Sequence, residues 1–458
     1  MGRIDHERNR MLQSLQKYKS QFPSWAASAL FAGLFAVSCV LFSGCERQNA
    51  KAVNIQLSTW GSAQEIAVLR ALLDEFEQNH PDIHVKLLHI PENYYQKLHI
   101  LVAGDLTPDV IFTNSISFPI YASQGIFRDL RPFLAKSGQV GAGLSRETFY
   151  PSALQAFQWK TAQGQEVQGA LPRDISNLVI FYNRDLFQKA GIPYPKAGWT
   201  WQQFAETAQQ LTLDQNNDGD PDQFGFSFYS TPPLFWLPFV WSAGGNLFSP
   251  DLERVTIAEP AAVKGLQFYA DLRNVWHVAP KKVESGGVTM SQLFMQQKLA
   301  MMANGRWSVP VLREQAKFRW DVVPFPVGPS GKSRVGIDAS GYAISAKSLH
   351  PQESFELIRF LLSREALAKV TESGLIVPAR PDVAESDLFL SPHQAPEHGR
   401  AFLDVIPDGV PTRTPPRWNE ISEELGLALE PVWDGKVKAA EATQVAQPKL
   451  QHMLEVSP

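Results

Sequence analysis

From Val53 onward the chain alternates between two hydrophobic periods, and this alternation sets what it can fold into. Val53-Asn54-Ile55-Gln56-Leu57 puts an apolar side chain at every second position, the period of a half-buried strand. Ser62 and Glu65 then stand at capping-box spacing. Ile66, Leu69, Leu72, Leu73 and Phe76 follow on one helical face, and Pro81 ends the helix. Ile83, Val85 and Leu87 alternate again, Tyr94 to Val102 reads as helix, and Val110-Ile111-Phe112 is a short apolar strand after the break at Thr107-Pro108. Helices placed between successive strands predict βαβ units and a mainly parallel sheet.

The pattern recurs further along. Leu178 to Tyr182 and Phe224 to Tyr229 read as strands. Between them Thr200 and Gln203 cap a helix that carries Trp201, Phe204, Ala208 and Leu211 on one side. Val263 to Val275 is an amphipathic helix, while Leu299 to Met302, Val322 to Pro324 and Gly341 to Ser345 are short strands. Phe355, Ile358, Phe360, Leu361 and Leu362 face inward from another helix. After Pro378 the chain is Pro-rich, with one clear helix from Asn419 to Leu429 and a loose tail expected from Gln444 to Pro458. No internal repeat is present. A chain of 458 residues, 44% of them hydrophobic, has two or three domains' worth of core and is neither a disordered tail nor a coiled coil. A formal charge of −4 offers no electrostatic case for nucleic acid as a partner.

The first 45 residues read as a targeting segment. Arg3, Arg8, Arg10, Lys17 and Lys19 precede the uncharged stretch Ser24 to Phe42, which ends in Leu41-Phe42-Ser43-Gly44-Cys45. The closing Gly-Cys resembles a bacterial lipobox, in which Cys45 is lipidated and becomes the new N-terminus, although Phe42 replaces the usual aliphatic residue. An uncleaved signal anchor is the alternative, since the apolar stretch nearly reaches span length. Either way the body lies outside the cytoplasmic membrane. Cys39 and Cys45 are the only cysteines, so the body has no disulfide framework and no cysteine-based zinc site.

Enzyme motifs are missing. His80 and His84 are split by Pro81, and no Gly-x-Ser-x-Gly elbow or Gly-x-Gly-x-x-Gly fingerprint occurs. Gly328 to Ser333 fails as a phosphate loop, because Pro326 stands where its first glycine belongs. Nucleophile, base and orienting group cannot be assembled. Asp214, Asn216, Asp218, Asp220 and Asp222 surround Gly219 at the spacing of a calcium loop, but position 12 is Gly225 rather than the bidentate Glu. A structural calcium or a solvated acidic turn both fit that pattern. No cofactor is required.

The informative excess is aromatic. Trp60-Gly61 follows the first strand, Trp236 and Trp241 precede Ala243-Gly244-Gly245-Asn246, and Asn304-Gly305-Arg306-Trp307 follows the Leu299 strand. Ligands of open α/β sheets bind beyond the carboxyl ends of strands, where flat rings stack on sugar C–H faces and polar groups bond its hydroxyls. Trp60, Trp236, Trp241 and Trp307 are the expected stacking surfaces. Asn114, Ser115, Asp174, Arg306, Asp338 and Ser340 are the expected polar contacts.

Taken in order, Leu57-Ser58-Thr59-Trp60-Gly61, Thr107-Pro108-Asp109-Val110, Ile180 to Phe187, Ala190-Gly191-Ile192-Pro193, Ala243-Gly244-Gly245, Lys298 to Trp307, Gly341 to Ser345 and Phe360-Leu361-Leu362-Ser363 resemble a bacterial extracellular solute-binding protein of family 1. The resemblance spans nearly all of residues 53–380. It implies an α/β, two-lobed periplasmic-binding-protein-like fold of type II, with the ligand cleft between the lobes. Lobe one is expected at 53–170 plus 326–378, and lobe two at 171–325 plus 379–458. It further implies the carbohydrate-binding component of an ABC importer, with the permease membrane subunits as partners and a lipid anchor outside the cytoplasm. Such a protein catalyses nothing. A glycan-acting enzyme and a sensory receptor are the alternatives. Gly328 to Gly336 is expected to absorb hinge motion between the lobes.

Overall fold

A computed structural model describes residues 52–137, 144–161, 163–281 and 288–456, so the expected targeting segment with Cys39 and Cys45 lies outside the described residues. In chain order the strands are β1 (Val53–Thr59), β2 (Ile83–His89), β3 (Val110–Asn114), β4 (Gln158–Lys160), β5 (Glu166–Gln168), β6 (Ala170–Ser176), β7 (Leu178–Asn183), β8 (Phe224–Phe226), β9 (Leu299–Gly305), β10 (Trp320–Val323), β11 (Asp338–Ile344) and β12 (Val377–Pro378). The main helices are α1 (Ala63–Asn79), α2 (Tyr94–Ala103), α3 (Trp201–Gln210), α4 (Pro260–Asn274), α5 (Pro351–Leu361), α6 (Arg364–Glu372), α7 (Trp418–Trp433) and α8 (Ala439–Glu455).

Two sheets form the centres of the two lobes. The first has six strands in the order β12-β6-β11-β3-β1-β2, and the second four in the order β10-β7-β9-β8; β4 and β5 make a separate hairpin. Among the strands of the described residues, only β1–β2, β1–β3 and β8–β9 pair in parallel, whereas β11 runs antiparallel to both β3 and β6. The expected mainly parallel sheet is therefore corrected to two mixed sheets. The cause is long-range return: β11 enters the first sheet from far along the chain, so no βα connection dictates its direction. The division at 170/171 is also displaced, because β6 pairs with β11 and β12 in the first sheet. The chain passes into the second sheet at Asn177.

Local signals formed the helices where they were read. Ser62 and Glu65 make a complete capping box on α1, as do Thr200 and Gln203 on α3. His80 caps the other end of α1, its Nδ1 3.0 Å from the Phe76 carbonyl and its ring stacked 4.3 Å from that of Phe76. Every residue of β7 is buried, as a central strand covered on both faces requires.

The expected loose tail is instead helix α8. Ala439, Ala442, Thr443, Ala446, Leu450 and Leu454 form its buried side, and it packs on α7 and α4. Small alanines let the helices approach closely but carry little hydrophobic signal, and Pro448 reads as a breaker although the helix continues through it.

Close approach is also built in at Gly225 of β8, where an added Cβ would lie 1.9 Å from the Ala208 carbonyl oxygen of α3. Gly225→Ala should therefore force α3 from the sheet and lower stability by about 1–3 kcal/mol. A denaturant-unfolding midpoint equal to that of the parent would contradict this packing.

Candidate functional site

Residues 410–414 lie as a strap across the molecule. The Ile337 N–H donates to the Val410 carbonyl at 2.9 Å, and the Val410 N–H returns a bond to Val335 at 2.9 Å. The Thr414 hydroxyl donates to the Ile116 carbonyl at 2.8 Å, just past β3, and Arg413 Nη1 donates to Pro250 at 2.6 Å. Pro411, Pro415 and Pro416 hold the segment extended without needing further N–H partners.

Cavities open on both sides of this strap. One of about 220 Å³ is lined by Ser115, Phe118, Gln155, Gln158 and Trp159, and another of about 160 Å³ by Trp241, Asn246, Phe248 and Trp418. Both also touch Leu252, Pro411, Thr412 and Arg413, so they are compartments of one groove. A third cavity, of about 610 Å³, continues past Gln155 and Pro411 toward Glu385, Arg400 and Asp404. Leu252, shared by the first two, has a φ of +64°, a strained conformation for a side chain of its size.

The ten expected contact residues divide accordingly. Ser115 and Trp241 line the groove. Trp241 is 3% exposed, and its indole N–H donates to Asn246 Oδ1 at 3.1 Å. Asp338 lies directly behind Ser115, whose Oγ is 3.5 Å from Asp338 Oδ1. Asn114 and Ser340 face each other across the β3–β11 pair, and the Asn114 side chain accepts from the Ser117 N–H at 2.8 Å. Trp60 is half-buried among aromatic rings, 4.4 Å from Phe112 and 4.9 Å from Tyr94 between ring centres.

The remaining expected contacts sit differently. Trp236 is buried, donates to Ser230, packs 5.9 Å from Trp433 and, unlike Trp241, lines none of these cavities. Trp307 is 39% exposed, with its ring folded over Gly305. Arg306 is buried against Gly374 and Phe389, away from the strap. Asp174 is buried in an ion pair with Arg173 at 2.6 Å, and Arg173 also reaches Glu65 and lies over the Phe112 ring. Burial pushes the Asp174 carboxyl up against the opposing pull of Arg173. The 328–336 stretch is tied down rather than free: Ser330 Oγ donates to the Ser242 carbonyl at 2.7 Å, and the Arg334 N–H to Ser242 Oγ at 3.0 Å.

Sequence reasoning passed over Trp159, Trp418, Gln155, Gln158, Asn246, Thr412 and Arg413. The available signal was the Val410-Pro411-Thr412-Arg413-Thr414-Pro415-Pro416 run, a stiff extended segment carrying hydrogen-bonding side chains. In the 214–222 loop the acidic and amide oxygens accept backbone N–H groups: Asp214 from Asn217 and Gly219, Asn216 from Asp218, Asp218 from Asp220, Asp222 from Gln215 and Asn216. Gly225 cannot be a Glu, because α3 fills the space. Elsewhere Asp321, Glu397 and His398 converge within 4.8 Å. There Asp321 accepts from the Val322 and His398 N–H groups, and Glu397 pairs with Arg184.

Asp338 gives the site a pH signature. Burial pushes its carboxyl up to about 7, with Thr412 and Ser115 pulling the other way. An unfolded chain loses this proton near the ordinary aspartate value of about 3.9, so the folded protein is the better proton binder between roughly pH 4 and 7. Stability contributed here is therefore lost as pH rises through that window and is level above it. The melting temperature of the parent should fall relative to that of Asp338→Asn between about pH 4 and 7 and run parallel to it above. Curves parallel over the whole range would reject the burial argument.

Known proteins share this architecture. A cycloalternan complex of an ABC substrate-binding protein from Listeria monocytogenes superposes with a TM-score of 0.77 at 26% identity, covering 88% of this chain and 99% of that one. Maltose-bound MalE3 of T. maritima superposes with a TM-score of 0.71 at 22% identity, covering 88% and 100%. The galactooligosaccharide-binding protein of Bacillus subtilis is 24% identical over 406 residues, 85% of this chain and 87% of its own length. The family profile described as bacterial extracellular solute-binding protein matches residues 60–368, and with the two sheets and the strapped groove between them this establishes that the chain belongs to that family.

Proposed function

We propose that the protein captures a carbohydrate in the strapped groove and delivers it to the membrane subunits of an ABC importer, working outside the cytoplasm on a lipid anchor at Cys45. The observation that carries the reading is the groove lining. Trp159, Trp241 and Trp418 supply ring surfaces, while Gln155, Gln158, Asn246, Thr412 and Arg413 supply donors and acceptors. Sugars need both, an apolar face for their C–H groups and hydrogen bonds for their hydroxyls. Relatives named for galactooligosaccharide binding and solved with cycloalternan or maltose support the same ligand class.

The groove draws on segments that neighbour both sheets: Ser115 follows β3 of the first, while Trp241 and Asn246 precede α4 beside the second. We take 53–176 with 338–378 as the core of lobe one and 178–323 as that of lobe two. A ligand touching both lobes favours closure by its differential affinity for the closed state. No helix among the described residues is long and apolar enough to cross a membrane.

Titration with a panel of mono- and oligosaccharides, followed by tryptophan fluorescence, tests the reading. One or more should saturate the signal, and Trp159→Ala should weaken that sugar by about 1–3 kcal/mol, the value of burying a large apolar side chain. No response to any sugar, or bond cleavage at saturation, would overturn it. Small-angle scattering with the same sugar should show a smaller radius of gyration, while sugars that do not bind leave it unchanged. An unchanged curve at saturation would discard closure and leave the binding assignment standing.

A further inference from the structure

Two arginines that line none of the cavities beside the strap carry N–H groups that no described residue accepts. Arg306 follows directly on β9 and is 2% exposed. Its Nε donates to the Gly374 carbonyl at 3.1 Å and its Nη2 to the Phe389 carbonyl at 2.9 Å. The guanidinium lies 4.3 Å from the Phe389 ring centre and 5.5 Å from that of Phe402. Nη1 is buried and has no hydrogen-bond partner among the described residues. Arg313, in the short helix Val309–Gln315, donates from Nε to the Ala395 carbonyl at 2.7 Å, and its Nη2 is likewise buried without a partner.

The two groups approach the same pieces of chain. Gly374 accepts from Arg306, and a Cβ built on it would stand 3.2 Å from Arg313 Nη1. A Cβ built on Gly399 would stand 3.6 Å from Arg306 Nη1, and Arg313 is bonded to Ala395 in the same segment. Burial pushes the Arg306 guanidinium down to about 9, the like charge of Arg313 adds to this, and burial lowers Arg313 as well. No acidic side chain acts on either arginine among the described residues. Carbonyls and a ring face supply only partial charge, and a desolvated pair of like charges calls for a counter-charge.

We propose that Arg306 and Arg313 together hold a small monovalent anion of the chloride class in the seam between the Val309–Gln315 helix, the Gly374 turn and the 389–399 segment. Phe389, Phe402 and Gly399 crowd the Arg306 end, which favours a single-atom anion over a carboxylate or phosphate ester. Arg313 is only half-buried and provides the way in. Gly374 lies on the turn leading to β12 of the first sheet and Arg306 continues from β9 of the second, so the anion would clamp the two lobes. The inference does not depend on which solute the groove binds.

Thermal unfolding of the full chain in sodium chloride against sodium gluconate, at matched ionic strength, tests it. The melting temperature should rise saturably with chloride, by about 1–2 °C at tenfold excess over half-saturation, and bromide should substitute. Arg313→Gln should abolish the chloride-specific rise, and Arg306→Met should do the same if it folds. Anomalous diffraction from bromide-soaked crystals should place an ion within hydrogen-bonding reach of both guanidinium groups. Equal melting temperatures in the two salts, a chloride effect retained in Arg313→Gln, or no bromide between the two arginines would each overturn the proposal.

Discussion

One extended run of chain, residues 170–183, enters both sheets with a single residue between them. β6 bonds to β11 and β12 on one side of that residue, and β7 bonds to β9 and β10 on the other. Asn177, the residue between, is 1% exposed, and its Nδ2 donates to the Phe402 carbonyl at 2.7 Å. The two sheets are therefore ends of one strand path and not independent bodies on a linker. Gly341 makes the first half workable: at the register shift between Ser340 and Gly341, a Cβ would lie 2.1 Å from the Leu171 carbonyl oxygen, so β11 and β6 can approach only without one.

The groove follows from this arrangement. With the sheets joined at Asn177, the ends of β3 and β11 face the segment around Trp241 and Asn246, and residues 410–414 close the floor between them. The strap contacts Val335, Ile337, Ile116 and Pro250 through backbone or carbonyl hydrogen bonds, so side chains such as those of Gln155, Asn246 and Trp159 remain at the rim. Asp338 sits one layer beneath, joined through Ser115 to the surface that a ligand would touch.

Much of the fold was legible because it rests on local signals. Capping boxes at Ser62 and Thr200, period-two runs in β1 and β2, and the buried run of β7 each announce themselves within a few residues. The resemblance carried the two-lobed plan. The missed elements have weak local signals: β6 contains Pro172, Arg173 and Asp174, and α8 buries mostly alanines. The site was less legible because a tryptophan's exposure is decided by distant partners. Trp236 is buried by Trp433, about two hundred residues away, whereas Trp159 in the β4–β5 hairpin is left beside the strap. Nothing around Arg306 in sequence foretells that Gly374 and Phe389 enclose it.

The strap also fixes an order of events during synthesis. Every strand of both sheets is complete once Pro378 has been made, so the scaffold can in principle form before the chain is finished. The floor of the groove comes only with residues 410–414, and Trp418 and α7 complete its wall later still. A nascent or clipped chain ending near residue 400 would thus contain all the strands of the family fold and yet have no groove.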